Sequence, residues 1–497
     1  MRVLLLPIII ISISIIIISL SSLLYGHNLI HPSSSLMSNN TDTCDLNRHT
    51  KLYLQFQLSI ATTSFILSTF IRTMIISPLM LIEQRYQVIQ RKRQDDQSSD
   101  GILSSIITRM NDMLDDIELS YVHEVWEDVA NQTGVLTSFS SNQVPEIDLN
   151  ISVPCKHAQS YLLQEYTNNV DYDKEDACQL RDVITQQLLI KYAKQVYDDE
   201  FELSTHPIIL RNVWSSESLN SSERRLTLKG ILNDEELANV QLPNYFSDAT
   251  KAGYSALVPD VVNQTSLSQF VQGILSGDLP NAKIGSQVII EQIPELRDEI
   301  ILPWLAKSLF NWNTYLEDIE ESIKKWTGDW IEKILLPMSY FPIFIASNHQ
   351  SDSTETHPRT DLHMEPIGNI ASQLHGTRQW ILVPTKWSAL LRPTVSKHRG
   401  YFYANIEPSK LKERLNKIPV VYNCTTQPGD VLWIPPWMWH RVDYISNDDE
   451  AETAEDKLSI GASIFHFFPT LFVKTNPLFS ILILPLLIQE ILGFNVE

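Results

Sequence analysis

Glycine is scarce in this chain, 15 of 497 residues, while 43% of residues are hydrophobic. A sequence so composed can bury a sizeable core, and its length allows about two to four units of roughly 150 residues each. Lysine and arginine are also short, 38 against 59 aspartates and glutamates, for a net charge of −21. Phosphate binding relies on clustered cations, so this balance speaks against a general nucleic-acid binder. It fits an acidic surface and leans toward a basic substrate segment. Cysteine is limited to Cys44, Cys155, Cys178 and Cys424, an even number that allows three pairings. Cys155 with Cys178 would close a short loop; four free thiols are the alternative. No internal repeat is visible, and the only short polar tract that reads as a linker is "RQDDQSSD".

What is present begins with a charge-free apolar run from Val3 to Leu24, preceded by Arg2. About 22 residues make a helix of about 33 Å, enough to cross a bilayer and longer than an ordinary cleaved signal. Residues 1–25 therefore read as a signal-anchor or signal peptide, which places the rest in the secretory pathway: endoplasmic reticulum or Golgi membrane with a lumenal catalytic domain, or secretion. N-x-S/T triplets start at Asn39, Asn131, Asn150, Asn220, Asn263 and Asn423. Roughly four would arise by chance, so a glycoprotein is compatible with the sequence without being demanded by it. A second apolar stretch, residues 58–82, contains Arg72 and Pro78. A charge inside a span costs a few kcal/mol, so a buried or interfacial helix is the better reading. If it did span, the basic "RKR" at 91–93 would tend to stay cytosolic.

Residues 26–200 read as a helical N-terminal region. "GILSSIITRMNDMLDDIELSYVHEVWEDV" and "DACQLRDVITQQLLIKYAKQVYDDEF" both space apolar residues three and four apart. Between them, "GVLTSFSSNQVPEIDLNISVP" reads as a loop. From about residue 201 to 475 the texture turns to short segments rich in β-branched and aromatic residues: "HPIILRNVW", "GSQVIIEQI", "RQWILVPT", "PVVYNCTT", "DVLWIPP" and "LSIGASIFHFF". Helical inserts such as "PWLAKSLFNWNTYLEDIEESIKKWTGDWIEKIL" interrupt them. The pattern is a mainly β domain, a barrel or double-sheet jelly roll with helical inserts. Residues 476–497 read as a packing or dimerisation helix, which allows a homodimer.

Inside that domain, "TDLHMEPIGN" places His363 and Glu365 two apart. On a strand they would aim an imidazole and a carboxylate into one space; two solvated side chains at a strand edge are the alternative. Downstream, "PGDVLWIPPWMWH" ends at His440, behind a turn and a rigid Pro435-Pro436. Two histidines and one carboxylate on one face of an octahedron are the ligand set of non-heme Fe(II), with the other positions open; a structural zinc would close its site with four ligands. His357 and His375 read as surface residues, and His466 as core or rim.

"TDLHMEPIGNIASQLHGTRQWILVP" followed by "PGDVLWIPPWMWH" resembles the JmjC and cupin-like Fe(II)/2-oxoglutarate oxygenases, and among them the asparaginyl hydroxylases of the factor-inhibiting-HIF type. The resemblance covers roughly residues 205–470. It implies a double-stranded β-helix (cupin/jelly-roll) fold and a dioxygenase that hydroxylates a polypeptide side chain, demethylation being the other outcome of the same chemistry. It also implies that His363, Glu365 and His440 hold Fe(II), while Arg378 and Thr360 receive the far carboxylate of 2-oxoglutarate. Asn369 and Ser463 would stand near the cosubstrate or metal, with Trp437 and Trp439 walling the site. The chain departs from the pattern in having Arg378 where close relatives carry lysine, Glu365 where many carry aspartate, and Ser463 where many carry asparagine. Those departures keep two other readings open: a catalytically inactive cupin-like binding protein, and a membrane-anchored recognition or accessory protein.

Overall fold

A sheet with one wet face alternates apolar and polar residues, whereas one covered on both faces does not. The strands Val431–Ile434 and Trp439–Asp443 are buried at every position, so both lie in sheets packed on two sides. The computed structural model describes residues 48–83 (except 81), 102–148 (except 133–139 and 145), 205–300 (except 214–223, 244 and 250–264), 339–348, 357–444 (except 397–399) and 457–491 (except 468–471, 473 and 474).

The N-terminal part is helical. Helix α1 (Arg48–Ile71) runs into a π-turn at Arg72–Ile76, and α2 (Ile102–Ile117) runs through another at Glu118–Val122 into α3 (His123–Gln132). Strands β1 (Ser140–Gln143), β2 (Glu146–Asp148) and β3 (Ile208–Arg211) follow. Next come α4 (Leu228–Asn233), α5 (Glu235–Ala238), β4 (Gln241–Leu242), β5 (Thr265–Ser266) and α6 (Leu267–Ser276). After β6 (Lys283–Ser286) lie α7 (Val288–Gln292), α8 (Arg297–Ile300), β7 (Ser339–Tyr340) and β8 (Ile343–Ser347). The double-sheet domain is completed by β9 (Arg359–Met364), β10 (Ile367–His375), β11 (Arg378–Val383), β12 (Pro393–Val395), β13 (Phe402–Ala404), α9 (Pro408–Leu415), β14 (Val420–Thr426), β15 (Val431–Ile434), β16 (Trp439–Asp443) and β17 (Leu458–Phe467). Helix α10 (Pro477–Ile491) comes last.

Two sheets face each other. One has the order β1-β14-β11-β16-β9-β13-β12; the other runs β2-β3-β15-β10-β17-β8-β6, with β7 beside β17. Ile209, Ala346, Ala371 and Leu432 from the second sheet meet Trp380, Leu382, Tyr422 and Val442 from the first in one buried cluster, which defines the lumen. Along each strand the alternate residues point outward. The outer face of the first sheet packs Leu362, Phe402 and Trp439 against Leu58 and Phe65 of α1, Trp126 of α3 and Phe479 of α10. The outer face of the second packs Ile345, Ile460 and Ile464 against Phe270 and Ile274 of α6. This is the cupin-like, mainly β architecture with helical additions that the sequence leads one to expect.

Two local readings change, and a third holds. "GSQVIIEQI" is not a strand: β6 ends at Ser286, whose Oγ accepts the Val288 N–H, and Val288–Gln292 is helical. The stretch read as a loop before residue 150 supplies β1, parallel to β14, and β2, parallel to β3, so each extends one edge of a sheet. The apolar stretch at 58–82 is a helix long and apolar enough to cross a membrane by length and composition, but half of that window is buried. Its one charge explains the packing. Arg72 is buried, with Nη2 2.9 Å from Asp115 Oδ1 and Nε 3.4 Å from Glu118 Oε1. The stretches 303–335 and 176–201, read from the sequence as helical, and Cys44, Cys155 and Cys178 lie outside the described residues. Cys424 lies half-buried on β14.

Removing one member of a buried ion pair leaves the other uncompensated, at a cost of about 3–5 kcal/mol. Arg72→Met is therefore expected to destabilise the chain by about that much in urea unfolding, and Arg72→Met/Glu118→Gln to recover part of it. Were α1 a lipid-exposed span, loss of the arginine would instead be neutral or stabilising.

Candidate metal centre

His363 stands near the end of β9, Glu365 in the turn that follows, and His440 on β16, paired with His363 in register. Beyond that pair the register shifts, and Val442 lies opposite Thr360. Two steps on β16 thus correspond to three on β9, a bulge that turns Thr360 and His363 to the same side. That side is the lumen, which Val442 helps to line.

His363 Nε2 lies 3.8 Å from Glu365 Oε1, and the rings of His363 and His440 are 4.2 Å apart between centroids. One ligand atom from each of the three residues falls within 4.8 Å of the others. The imidazoles are oriented from behind. His363 Nδ1 meets the Asp361 carbonyl at 2.7 Å, and His440 Nδ1 meets the Met438 carbonyl at 3.1 Å. A carbonyl only accepts, so each Nδ1 carries the proton and each Nε2 presents a lone pair. Burial, reinforced by His440, holds His363 well below its ordinary 6.5; burial takes His440 to about 4. Both rings are neutral at pH 7, as ligands must be. Two neutral nitrogens and a carboxylate, converging and backed by carbonyls, fit a divalent metal ion.

The loop before His440 is tied to the loop that carries Glu365. Trp437 adopts φ +65°, an uncommon conformation for a bulky residue. Its N–H donates to the Glu365 carbonyl at 2.7 Å, and its indole N–H to the Phe472 carbonyl at 3.0 Å. Trp439 points away from the lumen and donates to Ser388 Oγ at 2.8 Å. Neither tryptophan walls the site, because both pack against the helices outside the sheet. The edge of the Tyr401 ring, 5.8 Å away, faces His363 instead.

The other expected residues share the lumen. Asn369 lies two positions before lumen residue Ala371, and Ser463 is paired with Ala371. Both are buried, and Asn369 Oδ1 has no hydrogen-bond partner among the described residues. Arg378 shares a face with Trp380 and Leu382. Its Nη2 donates to the Phe344 carbonyl at 2.9 Å and its Nε to Ser459 Oγ at 3.1 Å. A Cβ at Gly461 would come within 2.5 Å of its Nη1, so glycine leaves the guanidinium room in its present position. Lys283, absent from the sequence-based expectations, donates to Thr360 Oγ1 at 3.0 Å. A lone lysine in "LPNAKIGS" carries no motif that could have announced it.

His357 is not at the surface. It is buried, with Nε2 2.8 Å from Asp443 Oδ1, a carboxylate that Arg441 also grips. The acid at the end of β16 draws the ring inward. His466 is buried, as expected of a core position, and His375 is half-buried.

A family model described as a cupin-like domain matches residues 193–466, from before β3 into β17. HSPB1-associated protein 1 homolog of Danio rerio is 29% identical over 116 residues, 19% of this chain and 25% of the relative. The match therefore spans a quarter of that relative's length.

Burial lowers His123 to about 3, with Arg392 adding to the effect, and takes His440 and His466 to about 4 each, while His363 is lowered too. Each folded value lies below the unfolded one of about 6.5. The unfolded chain therefore binds more protons, and the stability present above pH 6.5 is lost as pH falls toward 4. Calorimetry should show the thermal midpoint of the metal-free chain falling from pH 7 to pH 5; a midpoint that stays level would contradict four neutral buried imidazoles.

Proposed function

Because the chain belongs to the cupin-like domain family, we propose that it is an Fe(II)- and 2-oxoglutarate-dependent oxygenase of the JmjC type that hydroxylates a polypeptide side chain. The observation that carries this reading is the convergence of His363, Glu365 and His440, with each histidine Nδ1 turned to a backbone carbonyl. Three protein ligands on one face leave positions for a chelating keto acid and for oxygen. Iron with 2-oxoglutarate and oxygen would supply the oxidising chemistry, releasing succinate and CO2 while one oxygen atom enters a substrate C–H bond.

The chain's own residues have other tasks. The carbonyls of Asp361 and Met438 fix the imidazole tautomers and orientations. Trp437 N–H holds the two ligand-bearing loops together. Trp380, Leu382, Tyr422 and Ile434 keep the lumen apolar, which limits water at the centre. Asn369, with its unpartnered Oδ1, and Ser463 would meet the cosubstrate or its surroundings.

The spacing of Thr360, His363 and Asn369 supports the factor-inhibiting-HIF branch of the family, and hence a stable hydroxylation. The net charge of −21 favours a basic substrate segment. For location we infer the secretory pathway, from the apolar run Val3–Leu24 and from the outward face of α1, where Tyr53, Phe56, Ile60 and Leu67 are exposed. The exposed Ile481 and Leu484 of α10 support self-association through that helix.

The test is succinate formation from 2-oxoglutarate by the full chain with Fe(II) and oxygen. Wild type should form succinate, and His363→Ala should lower the rate at least 100-fold while the variant stays folded. Equal succinate from both would remove the catalytic assignment; iron binding with no succinate from wild type would favour the inactive, binding-only cupin.

A further inference from the structure

We propose that the outward face of α1 rests on a lipid bilayer, with the helix lying in the plane of the membrane surface. The proposal stands apart from the chemistry of the metal centre.

Between Lys51 and Glu83 the chain carries one charged residue, Arg72, and that residue is buried against Asp115 and Glu118. What α1 shows outward is therefore uncharged. Tyr53, Phe56, Ile60 and Leu67 are exposed at steps of three, four and seven, one side of a helix. Phe56 and Leu67 are 64% and 58% exposed, and Met74 and Ile75 continue the exposed apolar surface into the π-turn. From Tyr53 to Met74 the stripe runs about 32 Å along the axis. A helix with one side in water carries charged residues on that side. The neighbouring α2 does so, exposing Arg109, Asp112 and Asp116 beside Ile106 and Met113. An uncharged stripe of this extent marks a surface that meets something apolar.

Three observations favour lipid over a protein partner. Protein interfaces carry a polar rim, whereas this stripe has no charge along its length. Two of its polar side chains are also satisfied within the helix: Thr63 Oγ1 donates to the Ser59 carbonyl and Gln57 Nε2 to Tyr53 Oη, each at 2.8 Å, the condition for polar groups in an apolar medium. The inward side of α1 sets its orientation. Leu54, Leu58 and Phe65 pack on the sheet, and Ile76 on α2. A helix held along its length in this way lies flat, because crossing the bilayer would carry the sheet in with it. The third observation is position in the chain. The apolar run Val3–Leu24 ends about 23 residues ahead of Arg48, at most about 80 Å of extended chain, so a bilayer holding that run keeps α1 within reach. The net charge of −21 gives no attraction to anionic headgroups; the contact is apolar. Self-association through Ile481 and Leu484 of α10 would leave the stripe open, since neither residue is part of it.

The full chain reconstituted with phosphatidylcholine vesicles whose acyl chains carry a photoactivatable diazirine tests the assignment, with peptide mass spectrometry locating the lipid adducts. Wild type should take adducts at Tyr53, Phe56, Ile60 and Leu67, and added phosphatidylserine or salt should not change them. Phe56→Glu/Leu67→Glu should lower the α1 adducts about 10-fold or more, the effect of withdrawing large apolar side chains from lipid. Its thermal midpoint and Fe(II) binding should stay at the wild-type values, because both side chains point away from the domain. Phe56→Gln/Leu67→Gln, which introduces no charge, guards against disturbance of the helix and should fall between the two. Adducts confined to residues 3–24, or equal α1 adducts from wild type and the glutamate variant, would overturn the proposal. An unlabelled α1 together with a dimer that the glutamate variant dissociates in sedimentation equilibrium would assign the stripe to a second copy instead.

Discussion

Everything chemical in this chain depends on an irregularity in one pair of strands: three steps of β9 answer two steps of β16. Side chains alternate across a strand, so in a regular ladder Thr360 and His363 would face opposite sides. With the extra residue both enter the lumen, together with His440 and Val442. The bulge also accommodates Asp361, whose carbonyl orients the His363 ring, while its carboxylate engages Arg359. The ligand set, the hydroxyl of Thr360 and the orientation of one imidazole therefore share a single structural cause.

The rest of the molecule keeps that register in place. Strands β9 and β16 are central in a sheet whose outer face is covered by α1, α3 and α10. A sheet buried on both faces resists slippage, because a one-residue shift would reverse every contact on both. The N-terminal helices are thus a structural layer of the domain. Arg72 shows how closely they are fitted: its partners Asp115 and Glu118 come from α2 and the π-turn that follows, and Glu118 also receives a hydrogen bond from Ser68 of α1. On the far side of the lumen, Arg378 ties β11 to β8 and β17.

How much of this was legible in the sequence follows from how local each signal is. His363 and Glu365 stand two apart, and the Pro-Pro-Trp-Met-Trp-His run fixes the approach to His440, so the triad could be read from spacing. The β-rich runs of β3, β11, β14, β15 and β17 could be read for the same reason. Other features are set by partners far away in the chain. Lys283 meets Thr360 across 77 positions, and His357 meets Asp443 across 86; nothing beside either residue announces the contact. "VIIEQ" has a strand's composition yet forms a helix, because β6 has already ended and Ile289 and Ile290 turn into the core. β1 was invisible because its "SSNQ" has no apolar pattern; it exists through pairing with β14.

Charge divides the molecule in a way that composition conceals. The chain as a whole is strongly acidic, yet Lys283 and Arg378 place two cations inside the lumen, with no carboxylate within 4 Å of either among the described residues. Screening at physiological salt reduces exposed charges beyond about 8 Å, whereas buried ones are screened far less. The surface and the lumen therefore attract different things. An acidic exterior favours cationic groups at the surface, whereas a cationic, apolar-walled interior favours a small anion, independently of that surface. The three candidate metal ligands sit where the two regions meet, since Glu365 is only half-buried while both imidazoles are enclosed.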